Sequence, residues 1–121
     1  MPSNGPFQCG TGHRFLDFTD GMSNTIMIGE KHVPLGKFGV GWWDCSTYNG
    51  DYPQCSTRPA GRLAPLTTNG KDLGVKFGSL HMQVVQFCFM DGHVRPISES
   101  IDPYILELLT TVGHGQVIPD F

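Results

Sequence analysis

The sequence predicts an α+β domain in which a small antiparallel sheet is covered by one C-terminal helix and much of the remaining chain is loop. Three observations carry that reading. An apolar run from Gln83 to Met90 is followed by Asp91-Gly92 and a second run from His93 to Ser98, the pattern of a hairpin. Asp102-Pro103 then opens a stretch with Ile105, Leu106, Leu108 and Leu109 at helical spacing. Sixteen Gly and nine Pro among 121 residues leave little room for long elements elsewhere.

Composition sets the outer bounds. With 39% hydrophobic and 16% charged residues and a formal net charge of -3, the chain reads as one domain over residues 1–121. That excludes a coiled coil, a repeat array and an acidic tail. The expected organisation is a sheet-and-helix core from segments 15–30 and 77–121, with a loop-rich insert at 33–74. The N-terminus, Met1 to Pro6, has neither a basic nor an apolar segment, and no run of 18 apolar residues occurs. Neither a signal peptide nor a membrane span is therefore expected in these residues, nor membrane contact by them. Basic residues are scattered from Arg14 to Arg95 without forming a stripe, which argues against nucleic acid as a partner.

Along the chain, residues 1–14 are turn material, and Phe15 to Phe18 is short and apolar. Asp20 is placed to cap one helical turn through Met22, Ser23 and Asn24. Thr25 to Ile28 is β-branched and predicts a strand ending at Gly29-Glu30. Val40-Gly41-Trp42-Trp43 predicts a short strand whose indoles point to opposite faces, at least one of them into the core. The length of the insert argues for a surface role.

At the hairpin, Asp91-Gly92 predicts a two-residue type I′ turn with positive φ at both positions. That turn pairs Met90 with His93, Phe89 with Val94, Cys88 with Arg95 and Phe87 with Pro96. Pro96 then falls at a non-hydrogen-bonded site, so the second strand is an edge or is bulged. The first strand is apolar on both pleat faces and should be central. Asp102 supplies the helix N-cap, Pro103 suits N1, and Ile101 can staple onto Leu106. Thr110-Thr111 weaken propagation, and Gly113 is the expected left-handed terminator. A helix this short is not stable alone, so its apolar stripe must pack on the sheet. Gln116-Val117-Ile118 reads as a last short strand before Pro119-Asp120-Phe121.

Five histidines (His13, His32, His81, His93 and His114) stand beside Asp17, Asp20, Asp91 and Asp102 as candidates for chemistry. His81 lies nine residues before Met90, about 30 Å along an extended strand, whereas His93 is opposite Met90, so those two cannot share a ligand. Asp91 is explained by its turn. Asp20, Ser23 and Asn24 lack the alternating oxygen ligands of a calcium loop. Ser23 and Ser79 stand in no nucleophile elbow. The residues therefore identify no catalytic group, metal site or cofactor. A small hydrolase would require His81 or His93 beside a second ionisable group in a cleft. A ligand-binding or adhesion module would instead use Trp42, Trp43, Tyr48 and Tyr52, aromatics that serve equally as core and cover for a small sheet.

There are four cysteines, Cys9, Cys45, Cys55 and Cys88, and no C-x-x-C pair. Cys45 and Cys55 close a short loop of turn formers and are the candidate disulfide in an oxidising compartment. Four free thiols in a reducing compartment fit the spacing equally well.

Several blocks together resemble a known family. They are Gly5-Pro6-Phe7, the run from Phe18 to Glu30 with Asp20-Gly21-Met22-Ser23-Asn24-Thr25, Phe77 to His81 with Phe87 to Ser98, and Ile101 to Phe121. They resemble the C-terminal half of a large planctomycete family of unknown function. Its members carry a prepilin-type cleavage and methylation segment and are similar to type IV pilins or type II secretion pseudopilins. The resemblance implies a non-enzymatic, structural or surface-exposed head domain with other pilin-like subunits or secretion components as partners. It also places the parent in the periplasm or at the cell surface, where Cys45 and Cys55 would oxidise. The family's leader and long N-terminal helix have no counterpart here, so the chain resembles a C-terminal fragment that could not enter a filament by buried-helix packing. Where the family commonly has Gly-Gly before the strand, this sequence has Met82-Gln83.

Overall fold

The structure is a computed structural model that describes residues 4–8, 10–49 and 51–121. Three strands, β1 (Ile26–Gly29), β2 (Val84–Phe89) and β3 (Val94–Ser98), form one antiparallel sheet in the order β1-β2-β3. Two helices accompany it, a four-residue α1 (Pro53–Ser56) and α2 (Pro103–Leu109). Short 3-10 turns lie at Phe15–Asp17, Met22–Asn24 and Gly41–Trp43. This is the α+β class that the sequence predicts.

The centre of the molecule follows from the pleat of β2. Val85, Phe87 and Phe89 point to one face and are no more than 1% exposed, while Val84, Gln86 and Cys88 on the other face are half-buried. Leu106 and Leu109 of α2 close over the first face, joined by Ile26, Ile97 and Leu66. Each fully buried aliphatic or aromatic side chain contributes about 1.5–3 kcal/mol by leaving water, which is what holds so short a helix in place. As expected from Asp102-Pro103, the Asp102 carboxylate accepts from the Tyr104 amide at 2.8 Å and Pro103 occupies the first turn. Ile101 and Ile105 pack at the margin of the cluster, half-buried.

The insert is not all surface. Its returning limb delivers Leu66 to the core, and Ala60 and Phe77 pack against it. Arg62 grips Glu107 of α2 through two bonds of 2.9 Å, and the Thr68 amide donates to Glu99 at 3.1 Å.

The hairpin corrects the predicted register by one residue. The pairs are Cys88 with Val94, Phe87 with Arg95, Gln86 with Pro96 and Val85 with Ile97. Of Asp91 and Gly92 only Gly92 has positive φ, at 88°. The Asp91 carboxylate accepts from the His93 amide at 3.0 Å, a local turn that the right-handed conformation satisfies. The loop is therefore three residues, Met90 to Gly92, closed by Gly92 N–H to Phe89 O and Phe89 N–H to His93 O, both at 2.9 Å. This is the type I turn with a glycine bulge rather than type I′. Pro96 remains at a non-hydrogen-bonded position by alternation from Phe89 and His93, and β3 is an edge strand. The shift turns Arg95 to the face shared with Phe87, where its guanidinium lies 4.2 Å from the Phe121 ring centroid and bonds the Phe121 carbonyl.

Three further expectations are corrected. Asp20 does not cap the Met22–Asn24 turn, whose N-cap is Gly21 with no side-chain bond. Its carboxylate accepts instead from the amides of His114 and Gly115 at 2.8 and 2.9 Å. Gln116 to Ile118 forms no strand, because the tail is tethered at those two amides and drawn to the core by Ile118 and Phe121 rather than to a sheet edge. Val40 to Trp43 is likewise not a strand, since Gly41–Trp43 forms a 3-10 turn.

Two backbone positions have opposite requirements. Gly29 pairs with Phe87, and a Cβ there would fall on the edge of the Phe87 ring and 2.9 Å from Phe77 Cδ1, so the edge-to-face pair of Phe77 and Phe87 needs glycine beside it. Gln83 sits at φ 58°, the only non-glycine residue with positive φ among the described residues, at the Met82-Gln83 step leading into β2. A side chain in that conformation costs about 1–2 kcal/mol. Gly29→Ala should therefore destabilise the protein by about 1–3 kcal/mol through overpacking, and Gln83→Gly should stabilise it by up to about 1 kcal/mol. Urea unfolding midpoints, followed by circular dichroism, check both signs.

Candidate functional site

The insert places its candidate residues on a scaffold of backbone carbonyls gathered by one buried arginine. Arg58 is 8% exposed, and its guanidinium donates to the carbonyls of Thr57 at 2.8 Å, Trp43 at 3.1 Å, Trp42 at 3.5 Å and Gln54. Its Nε has no hydrogen-bond partner among the described residues. Burial pulls the Arg58 pKa down, and the nearby Asp44 partly opposes that. A guanidinium stays charged regardless, so the four carbonyls serve as its solvation shell.

This arrangement explains why the tryptophans turn rather than extend. Arg58 draws the Trp42 and Trp43 carbonyls inward, the Gly39 amide donates to Asp44 at 2.7 Å, and the Trp43 indole N–H donates to the Leu73 carbonyl at 3.0 Å. Neither indole reaches the core that the sequence predicts for at least one of them. Trp42 is 61% exposed and Trp43 is half-buried, with Lys37 Nζ 4.9 Å from its ring centroid. The two indoles meet edge to face at 6.1 Å. Tyr48 and Tyr52 are also exposed, but no ring contact among the described residues joins either to the tryptophans.

A disulfide joins Cys45 to Cys55, with Cα atoms 5.1 Å apart. Cys55 lies in α1 and is buried, whereas Tyr48 and Tyr52 lie on the loop that the bridge closes. Lys31 reaches the same loop, donating to the Cys45 carbonyl at 2.9 Å with Asp44 at 3.6 Å. Cys88 is free and half-buried on the outer sheet face, while Cys9 and Gly50 lie outside the described residues.

The histidines are dispersed. His81 Nε2 lies 3.2 Å from Glu30, whose other oxygen accepts from the Gln86 amide at 2.7 Å. His93 Nδ1 lies 2.5 Å from Asp91 at the hairpin tip. The His93 backbone amide, and then its ring, hold the Asp91 carboxyl below its ordinary value. His13 stands by Asp17 at 3.9 Å and His114 by Asp20 at 3.6 Å. His32 is fully buried with Nε2 at 2.7 Å from the Asp72 carbonyl. The Ser79 hydroxyl donates to the Val84 carbonyl at 2.6 Å and accepts from the His81 amide, so it is bonded to backbone rather than to a base. Among the described residues no group of three or more His, Cys, Asp or Glu could hold a metal ion.

Arg58 escaped the sequence reading. An arginine three positions after Cys55, among turn formers, carries no periodic signal that it will be buried. Its role predicts a separation of effects. Cys45→Ser with Cys55→Ser should cost about 2–3 kcal/mol by releasing the loop in the unfolded chain. Arg58→Met should leave the bridge intact yet shift the tryptophan emission, because the carbonyls of Trp42 and Trp43 lose their common donor. Urea titration and fluorescence spectra of the two variants check this, and unchanged emission in Arg58→Met would contradict it.

Among the described residues, no helix is long and apolar enough to cross a membrane. No curated protein and no solved structure matches the chain. The profile of the family described as protein of unknown function (DUF1559) matches residues 1–104, and the chain belongs to that family.

Proposed function

We propose that this chain is a non-enzymatic, extracytoplasmic head domain of a pilin-like or pseudopilin-like protein, acting structurally with other subunits of its kind or with secretion components. The observation that carries this reading is the Cys45–Cys55 bridge closing a surface loop. Disulfides persist in oxidising compartments and are rare where thiols are kept reduced. The loop it closes displays Tyr48 and Tyr52, with Trp42 exposed beside it, as befits a domain whose task is surface contact. The resemblance of the Asp20 to Glu30 block and of the hairpin-helix block to proteins with a prepilin-type segment supports the same assignment. The groups nearest to a catalytic arrangement have other uses: the Ser79 hydroxyl and the Glu30 carboxylate both bond backbone leading into or within β2.

The test is the thiol state in the producing cell. Cells are quenched with an alkylating reagent, fractionated, and the protein analysed by mass spectrometry before and after reduction. Cys45 and Cys55 should be unreactive until reduced, and the protein should reside outside the cytoplasm. Both thiols alkylated in a cytoplasmic pool would contradict the proposal.

A further inference from the structure

We infer that this chain docks on the surface of a lipid bilayer through an ordered wedge of the insert. Leu35, Phe38, Val40, Trp42 and Leu80 enter the interfacial layer, and Lys37 and Lys71 meet anionic headgroups. These five apolar side chains are between 42% and 61% exposed. Two successive turns hold the first pair in place. The Lys37 amide donates to the Pro34 carbonyl and the Val40 amide to the Lys37 carbonyl, both at 3.0 Å, with Gly36 at φ 81° and Gly39 at φ 71°. Positive φ at the third position alone makes these type II turns, so Leu35 and Phe38 occupy the same outer corner of each. A Cβ built at Gly36, Gly39 or Gly41 would meet nothing within 4 Å, so the segment stands clear of its surroundings. Contacts make the patch continuous. A Cβ at Gly70 would lie 2.7 Å from Leu35 Cγ and 3.3 Å from Leu80 Cδ2, so the two leucines meet over that glycine. Lys37 lies over the Trp43 ring, which Trp42 meets edge to face. Single exposed apolar residues are ordinary, but contiguous groups of this kind mark contact surfaces.

The charges at the patch match an anionic lipid surface. Residues 33–43 carry one charged side chain, Lys37. The carboxylates beside the wedge are engaged: Asp44 by Lys31 at 3.6 Å and the Gly39 amide, Asp72 by Lys76 at 2.9 Å and the Gly74 amide. On the Leu80 side, Glu30 is held by the Gln86 amide and His81. Lys37 and Lys71, the latter directly after Gly70, have no carboxylate within ion-pair distance among the described residues. Lysine is depleted in protein interfaces, whereas Trp, Phe and Leu beside lysine compose surfaces that sit in the headgroup layer. Protruding corners also need no matching pocket, because lipid closes around them. The turns are ordered before contact, so little conformational entropy is lost on docking. The contact is with one leaflet and is not a span. Read as linear runs the sequence predicts no membrane contact, because these residues are spread over positions 35–80 and gather only in the fold.

The inference rests on exposure and local charge, not on the extracytoplasmic reading, and its test is separate. The purified, oxidised chain is sedimented with sucrose-loaded vesicles of phosphatidylcholine containing about one-third phosphatidylglycerol. Half of it should be bound by about 1 mM lipid. Tryptophan emission should shift to the blue and be quenched by lipids brominated near the headgroup end of the acyl chain. Phe38→Ser should weaken binding about tenfold. Lys37→Gln with Lys71→Gln should weaken it about tenfold or more on the anionic vesicles and leave binding to pure phosphatidylcholine unchanged. Phe15→Ser removes an equally exposed phenylalanine beside the hairpin and should bind like the wild type. All three variants should keep the wild-type circular dichroism, and the quenching of the unaltered chain decides the matter if one does not fold. No binding by about 5 mM lipid would overturn the inference, as would binding without tryptophan quenching or a Phe15→Ser loss equal to that of Phe38→Ser. A wild-type chain that ignores vesicles but self-associates in sedimentation velocity, with Phe38→Ser monomeric, would overturn it in favour of a second copy. None of these results bears on the oxidation state of Cys45 and Cys55 in cells or on the reading built on it.

Discussion

Everything else in this fold leans on the contact of Leu106 and Leu109 with Val85, Phe87 and Phe89. A sheet of three short strands needs its apolar face covered, and a seven-residue helix has no stability of its own. Each supplies the apolar face that the other must bury. Once they are joined, the loops can be held by single contacts: Arg62 on Glu107 and Thr68 on Glu99 fasten the insert, and Asp20 fastens the tail through two amides. Gly29 belongs to the same constraint, since Phe87 and Phe77 occupy the space a side chain would need.

The parts legible in the sequence were those fixed by local chemistry. Asp102-Pro103 marks a helix start because its capping geometry is contained within three residues, and the alternation in β2 marks a central strand because one pleat face is wholly apolar. What was illegible depended on distant partners. Asp20 looks like a cap for its own turn, but its hydrogen-bond partners lie more than ninety residues away. Asp91-Gly92 fits two hairpin loops that differ by one residue, and the choice turned on a side-chain bond to the His93 amide. Arg58 carries no signature of burial, and without it the tryptophan pair reads as a strand.

The insert departs most from regular structure: Leu66 anchors its returning limb in the core, and polar contacts hold the segment around the tryptophans. Its carbonyls converge on Arg58 and its two limbs are tied by Cys45 and Cys55, so aromatic side chains are left outside. That division of labour separates the molecule into a core that specifies the fold and a surface loop whose aromatic side chains stay exposed.

The most direct test of this division is amide hydrogen exchange followed residue by residue. Amides of β2 and α2 should exchange together, only through global unfolding, while those of residues 35–49 exchange through smaller local openings. If α2 exchanged well before β2, or if the insert were as protected as β2, the helix-on-sheet contact would not be the unit on which the structure depends.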